Sequence, residues 1–216
     1  PVGTEKVLGL FAHDDTYNDR SEEDNRNRAL PNYDPAAPSV AEMTDVALKL
    51  LEARGRNFLL VVEEEGTDNF GNRNNANGTL EAAKRADDAL GVCRAFIARR
   101  PDTLLLTTAD SDAGGLHMKG IPMLPDRDVP EQLPATARNG APVDGVRGTG
   151  TAPFIAAPDR FGQRLPFYVI WATGGDVSGG ILVRADGFNS QYVRGTMDNT
   201  EITRLIRRTL FGEPRR

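Results

Sequence analysis

The sequence holds one cysteine and two histidines in 216 residues. A lone thiol, Cys93, excludes an intrachain disulfide and leaves the redox compartment open. The two imidazoles, His13 and His117, both lie in irregular stretches, His117 near enough in sequence to Asp110 to be a substitute ligand or else a surface-loop histidine. No apolar run approaches the ~20 residues that carry a helix across a bilayer. Pro1-Val2-Gly3-Thr4 has neither the charged start nor the apolar stretch of a signal peptide. Basic residues are outnumbered: the net charge is −5 and both signs are spread along the chain, so nothing supplies the phosphate-neutralising patch of a general nucleic-acid binder. Internal repeats and low-complexity tracts are absent as well. What is present is 39% hydrophobic content, enough for one core and hence one domain.

Five apolar runs read as strands: Val7 to Phe11, Phe58 to Val62, Thr103 to Thr107, Phe167 to Trp171 and Ile181 to Ala185. They are continuous rather than alternating, which suits strands buried on both faces of a mainly parallel sheet. Helices are expected between them. Ser39-Val40-Ala41-Glu42 is a capping box, and Val40, Met43, Ala47 and Leu50 follow at helical spacing. A second helix is expected from about Thr79 to Arg99, with Leu80, Ala83, Leu90, Cys93 and Ile97 on its apolar stripe. A third follows the box Asp198 to Glu201, with Ile202, Leu205 and Ile206 as its apolar face. Strand alternating with helix predicts an α/β layered fold. Two stretches break the rhythm: the polar, acidic run from His13 to Pro38, and the Gly- and Pro-rich run from Gly114 to Gly162, which has no sustained period. Loops that long usually cover a site or an interface.

Oxygen-bearing side chains collect where these strands end. Glu63, Asp68 and Asn72 follow the second, Asp110 and Ser111 the third, and Asp176 the fourth. In open α/β sheets ligands bind outside the carboxyl ends of strands. Carboxylates that converge there repel one another unless a cation holds them, so a divalent metal site explains the coincidence. The alternative is that each is a turn former or helix cap, for which Asp, Asn and Ser are favoured anyway.

Six motifs, in order, resemble the C-terminal half of the alkaline phosphatase family. Gly9-Leu10-Phe11-Ala12 is similar to its "GLFA" strand, and Pro38 to Thr44 to its "P-S/T-L-A-E/Q-M-T" helix start. Val62-Glu63 with Asp68 is similar to "VEG-x-x-ID-x-x-x-H", and Asp102 to Asp110 to "DTLVIVTADH". Ala172 to Val177 resembles "HTG-x-DV" and Met197 to Ile202 "MDNTEI". The resemblance implies a three-layer α/β sandwich with a central, mainly parallel sheet, here as its C-terminal half over residues 1–216. It places the family's variable crown region at about 114–162.

The resemblance also implies chemistry. The family holds two zinc ions and a magnesium ion above its strand ends and uses a serine nucleophile. That serine belongs to the N-terminal half, so the catalytic residues are unknown here. Carried across by position, Glu63 matches the magnesium ligand, Asp68 an aspartate of the first zinc site and Asp110 one of the second. The histidine positions have all changed, to Asn72, Ser111 and Ala172. Asn72 and Ser111 still offer oxygen, Ala172 offers nothing, and Asp176 or water would take its place. The implied metal set is Glu63, Asp68, Asn72, Asp110 and Ser111. Oxygen donors suit Mg²⁺ first, with Ca²⁺ or Mn²⁺ as alternatives, and disfavour zinc. The expected function is a metal-dependent phosphomonoester hydrolase of altered metal preference. The alternative is a non-catalytic relative that binds or builds. Implied partners are a phosphate monoester, the N-terminal half as a separate chain or further segment, and a second copy in a homodimer, with no nucleic acid and no membrane. The implied location is periplasmic or secreted.

Overall fold

A computed structural model of the chain describes residues 6–12, 14–123 and 128–212. His13 of the acidic run, and Asp126 and Arg127 of the Gly- and Pro-rich run, lie outside them. Ser39 opens helix α2 (Val40–Glu52) as its box requires: its hydroxyl accepts from Glu42 N while Glu42 Oε2 accepts from Ser39 N at 2.8 Å. Asp198 opens α5 (Asn199–Phe211) with the same reciprocal pair, and Gly212, at φ +67, ends it in the left-handed region that favours glycine. Asp198→Ala is expected to cost about 1 kcal/mol of stability, read as a lowered urea midpoint at unchanged slope.

Helix α1 (Glu22–Asn27) follows an Ser21 cap, and α3 (Gly66–Asn72) is a short helix directly after the glutamate run. The long helix α4 (Ala76–Arg99) begins three residues earlier than its periodicity predicts, because Asn75 Oδ1 accepts from Gly78 N at 2.6 Å and caps it. Helix α4 packs on α2 and α3. Its fully buried residues include Ala76, Ala82, Ala89 and Phe96; of the expected stripe, Leu80 packs on the core in part, and Ala83, Leu90, Cys93 and Ile97 are not fully buried.

Two sheets form. In the first, β1 (Leu104–Thr107) pairs antiparallel with β7 (Arg184–Gly187). In the second, β6 (Pro166–Ile170) is central: β2 (His117–Gly120) lies along one edge, and β3 (Val143–Gly145) and β5 (Phe154–Ile155) share the other, with β4 (Gly148–Thr149) beyond β3. The stretch 114–162, expected to be irregular, thus supplies four short strands. Segments of two to four residues punctuated by Gly and Pro are too short to show a period.

Every ladder between these strands is antiparallel, whereas the expectation was mainly parallel pairing. Residues 7–11 and 58–62 form no strand and, among the described residues, join no ladder. A run apolar on both faces records that a segment suits a sheet interior; it does not record which segment lies beside it.

The core has two parts. Phe154, Val169 and Trp171 pack on Ala76, with the Phe154 and Phe167 rings stacked 5.1 Å apart. Buried Asp144 is satisfied within this cluster, accepting from Trp171 Nε1 at 2.5 Å and from Thr149 Oγ1 at 3.0 Å. Tyr33, Phe70 and Ala82 form the second part, with Tyr17 against it.

Candidate metal centre

Asp68 in the first turn of α3 and Asn72 at its end are one helical turn apart, so both side chains share a face. Asn72 Nδ2 donates to Asp68 Oδ2 at 3.2 Å and to Asp176 Oδ1 at 2.7 Å. Asp176 lies in the loop after β6, and Asp110 in the loop after β1. The two loops are tied together: Asp112 N donates to Val177 O, Val177 N to Ala113 O, and Ala172 N to Gly114 O. Glycine at 114 is a steric requirement, since a Cβ there would stand 2.2 Å from Gly71 O at the end of α3.

Hydrogen bonds thus join Asp68, Asn72 and Asp176, and Asp110 stands near enough for its charge to act on Asp68. Burial pushes the Asp68 carboxyl above the usual carboxylate range; the charges of Asp176 and Asp110 and a hydrogen bond with Asp176 push it further. Asn72 Oδ1 is buried and has no hydrogen-bond partner among the described residues. A carboxylate short of positive charge beside an idle amide oxygen fits a hard, oxygen-seeking cation. Among the described residues, no imidazole or thiolate, the donors that zinc favours, hydrogen-bonds into this group. Among the described residues no three His, Cys, Asp or Glu side chains converge as a ready cluster, so Asn72 and water must supply part of any coordination shell.

The other expected ligands sit differently. Glu63 is exposed and lines a separate acidic pocket of about 240 Å³ with Asp14, Asp15, Tyr17 and Glu65. Ser111 serves its turn: its hydroxyl accepts from Ala113 N at 3.0 Å, and its own N–H donates to Asp110 Oδ1 at 3.1 Å. Ala172 lies over Gly115, where an added Cβ would come within 2.6 Å of its methyl. His117 is exposed on β2 opposite Ile170, as a surface position.

Two features escape sequence reasoning. In the glutamate run the middle member, Glu64, is structural: Tyr33 donates to it, Gly66 N donates to it at 3.3 Å, and Arg85 stands 3.8 Å from it and over the Tyr33 ring. Burial and that bond to Glu64 raise the Tyr33 phenol far above its ordinary value. The asparagines are mostly staples. Asn69 donates to Tyr17 Oη, Asn74 to Thr173 O and Asn75 to Arg20 O. Nothing in the spacing of identical amides separates Asn72, which faces the carboxylates, from its neighbours.

The class this defines is an α/β protein with a carboxylate and amide site gathered at helix and strand ends. A family model described as alkaline phosphatase matches residues 2–211, and the chain belongs to that family. It is 31% identical over 138 residues to the tissue-nonspecific alkaline phosphatase of Felis catus, covering 59% of this chain and 24% of the relative. It is 24% identical over 204 residues to alkaline phosphatase 3 of Bacillus subtilis (strain 168), covering 80% and 44%. Among solved structures it resembles the alkaline phosphatase of the Antarctic bacterium TAB5 at a TM-score of 0.57 and 20% identity, covering 97% of this chain and 52% of that one. A TAB5 mutant with Mg bound in its M3 site matches at the same score, covering 91% and 51%. The fold is therefore the alkaline phosphatase α/β fold, and the chain spans about half the length of the solved structures it matches.

Proposed function

We propose that this chain contributes the metal-binding half of a phosphomonoester hydrolase that works with Mg²⁺-type ions in place of zinc. The observation that carries the reading is the tie of Asp68 to Asp176 through Asn72, whose buried carbonyl oxygen is idle, with the charge of Asp110 acting on Asp68. The Mg held by the TAB5 mutant supports it. Asp68, Asp110 and Asp176 would give anionic oxygens and Asn72 a neutral one, and Glu63 and Ser111 complete the proposed set if their loops turn inward. A bound divalent cation neutralises phosphoryl charge and lowers the pKa of water, though less than zinc does. Asn72 holds Asp68 and Asp176 on one side of the site, and the loop ties at Gly114 fix their approach. The nucleophile comes from the part of the family fold that this chain does not match. The substrate is a phosphate monoester, the assembly a homodimer, and the location periplasmic or secreted.

One observation favours the non-catalytic alternative: Asn72 meets Asp68 and Asp176 with its amide N–H groups and not with its oxygen, a bridge that itself ties the two carboxylates together. Calorimetric titration of the chain with Mg²⁺, Mn²⁺, Ca²⁺ and Zn²⁺ separates the readings, alongside p-nitrophenyl phosphate hydrolysis by the complete protein. Mg²⁺ or Mn²⁺ is expected to bind and to support turnover, and Asp176→Asn to weaken binding by about tenfold or more. Tight stoichiometric zinc overturns the hard-cation assignment; no ion bound and no hydrolysis leaves the non-catalytic reading.

A further inference from the structure

The connection between β5 and β6 is a hairpin that carries apolar and basic side chains into solvent. Ile155 pairs with Pro166, and Ala156 N donates to Leu165 O, so residues 157–164 form its tip. Phe161 is 72% exposed there, and Ile155 and Leu165 are exposed at the base. The Arg160 guanidinium lies 4.6 Å over the Phe161 ring, and exposed Arg164 follows on the returning arm. Among the described residues neither arginine is in an ion pair. Lys119, opposite Tyr168 on β2, adds another exposed cation near the same end of the sheet.

The apex of this hairpin is closed on itself. Asp159 Oδ1 accepts from Phe161 N at 2.7 Å and from Gln163 N at 2.9 Å, while Gly162 N donates to Asp159 O. A partner that reads backbone finds none of these donors free. A medium poor in hydrogen-bonding groups, by contrast, leaves none of them unsatisfied.

We propose that this hairpin is a docking tip for an anionic lipid surface. Phe161 enters the headgroup boundary, and Arg160, Arg164 and Lys119 meet acidic headgroups. An exposed ring flanked by cations has the chemistry of an interfacial anchor, and the closed apex lets it leave water at little cost. Charge orients the approach: the hairpin sets two arginines against Asp159, whereas the chain as a whole carries −5, so its other surfaces are turned away from acidic lipid. Among the described residues no helix is long and apolar enough to cross a membrane, so attachment through the tip is peripheral. The hairpin joins β6 at its start, whereas the Asp176 loop leaves from its end, roughly 15 Å away along the strand. Docking therefore leaves the candidate metal centre clear. It adds a partner beyond those the family resemblance implies, and it is independent of whether the site hydrolyses phosphate.

Co-sedimentation of the intact protein with vesicles tests the tip. Phosphatidylcholine vesicles with about one-third phosphatidylglycerol are expected to carry the protein down at low salt, and phosphatidylcholine alone to leave it in solution. Phe161→Ala should weaken binding about tenfold, and Arg160→Glu with Arg164→Glu should reduce it to the phosphatidylcholine level. All three side chains are exposed, and unchanged fluorescence of buried Trp171 shows that the variants fold. No binding to the anionic vesicles, or binding that every variant retains, overturns the proposal. Binding lost with the arginines yet indifferent to Phe161→Ala also overturns it, as adsorption by charge without an anchor. Equal affinity for soluble polyglutamate would make an acidic protein the occupant, and sedimentation that rises with protein concentration and needs no vesicle would make it a second copy. Hydrolysis enters none of these readouts, so an inactive protein that passes them keeps the docking tip while losing the catalytic reading.

Discussion

Phe70→Ala is expected to lower the unfolding free energy by about 3–5 kcal/mol, the usual cost of emptying a fully buried phenylalanine site. Phe70 is 0% exposed. Its ring lies 5.6 Å from that of Tyr17 and 6.0 Å from that of Tyr33, and Gly78 lets α4 come so near that a Cβ there would stand 2.5 Å from it. The site can collapse little, because its walls are the start of α4 and two tyrosines fixed by Asn69 and Glu64. Phe70 also lies between Asp68 and Asn72 on α3, so the same change should loosen the carboxylate cluster and weaken cation binding. Urea unfolding followed by the fluorescence of Trp171, the sole tryptophan and 1% exposed, reads the first effect. A loss under about 1 kcal/mol would mean that this cluster is not what secures α3.

Glu22→Gln should abolish a fall in stability between about pH 4.5 and 7. Burial pushes the Glu22 carboxyl up from 4.5 to about 7, against the bond that Oε1 accepts from Asn77 N at 3.0 Å; the charge of Asp144 adds to the rise. In this window the folded state keeps a proton that the unfolded state has lost, so stability drops as pH rises and levels off above 7. The rise corresponds to roughly 3 kcal/mol for a carboxyl that is only 8% exposed. Glutamine keeps the acceptor for Asn77 N and removes the titration. Relative to the unmodified chain, the variant should therefore gain about 3 kcal/mol between pH 4 and pH 8, measured as the difference of two denaturation series. Parallel curves for the two proteins across that range would show that Glu22 titrates normally.

Helix starts were legible in the sequence because caps are local. The boxes at Ser39 and Asp198 use residues three apart and need no knowledge of the rest of the fold. Strand identity was legible where a neighbour is present, as for β1 and β6, and not for residues 7–11 and 58–62, whose pairing depends on what lies beside them. The α4 stripe was read correctly as apolar, but only Leu80 packs on the core cluster, while Ala83, Leu90, Cys93 and Ile97 line the cavity of about 800 Å³ between residues 56–62 and 102–108. At the site, Asp68 and Asn72 are hydrogen-bonded, and the charge of Asp110 reaches Asp68. Glu63 stands apart, because a motif fixes order along the chain, whereas the direction of an exposed side chain is set by the loop that carries it. Asp176 shows the same lesson from the other side. It was expected as a strand-end acid and as a stand-in for Ala172 but left out of the implied metal set, yet it makes the shorter of the two Asn72 bonds.

The staples around the site are amides. Asn69, Asn74 and Asn75 bind a tyrosine hydroxyl and two backbone carbonyls, and none of these partners changes charge in the ordinary range of acidity. Asp68 is an acid instead, and burial, with the charges of Asp176 and Asp110, holds its carboxyl above the usual carboxylate range. The frame and the charge it encloses thus answer to different variables: a proton gained or lost at Asp68 changes the charge of the proposed site, while the amides that shape its loops carry no charge to lose.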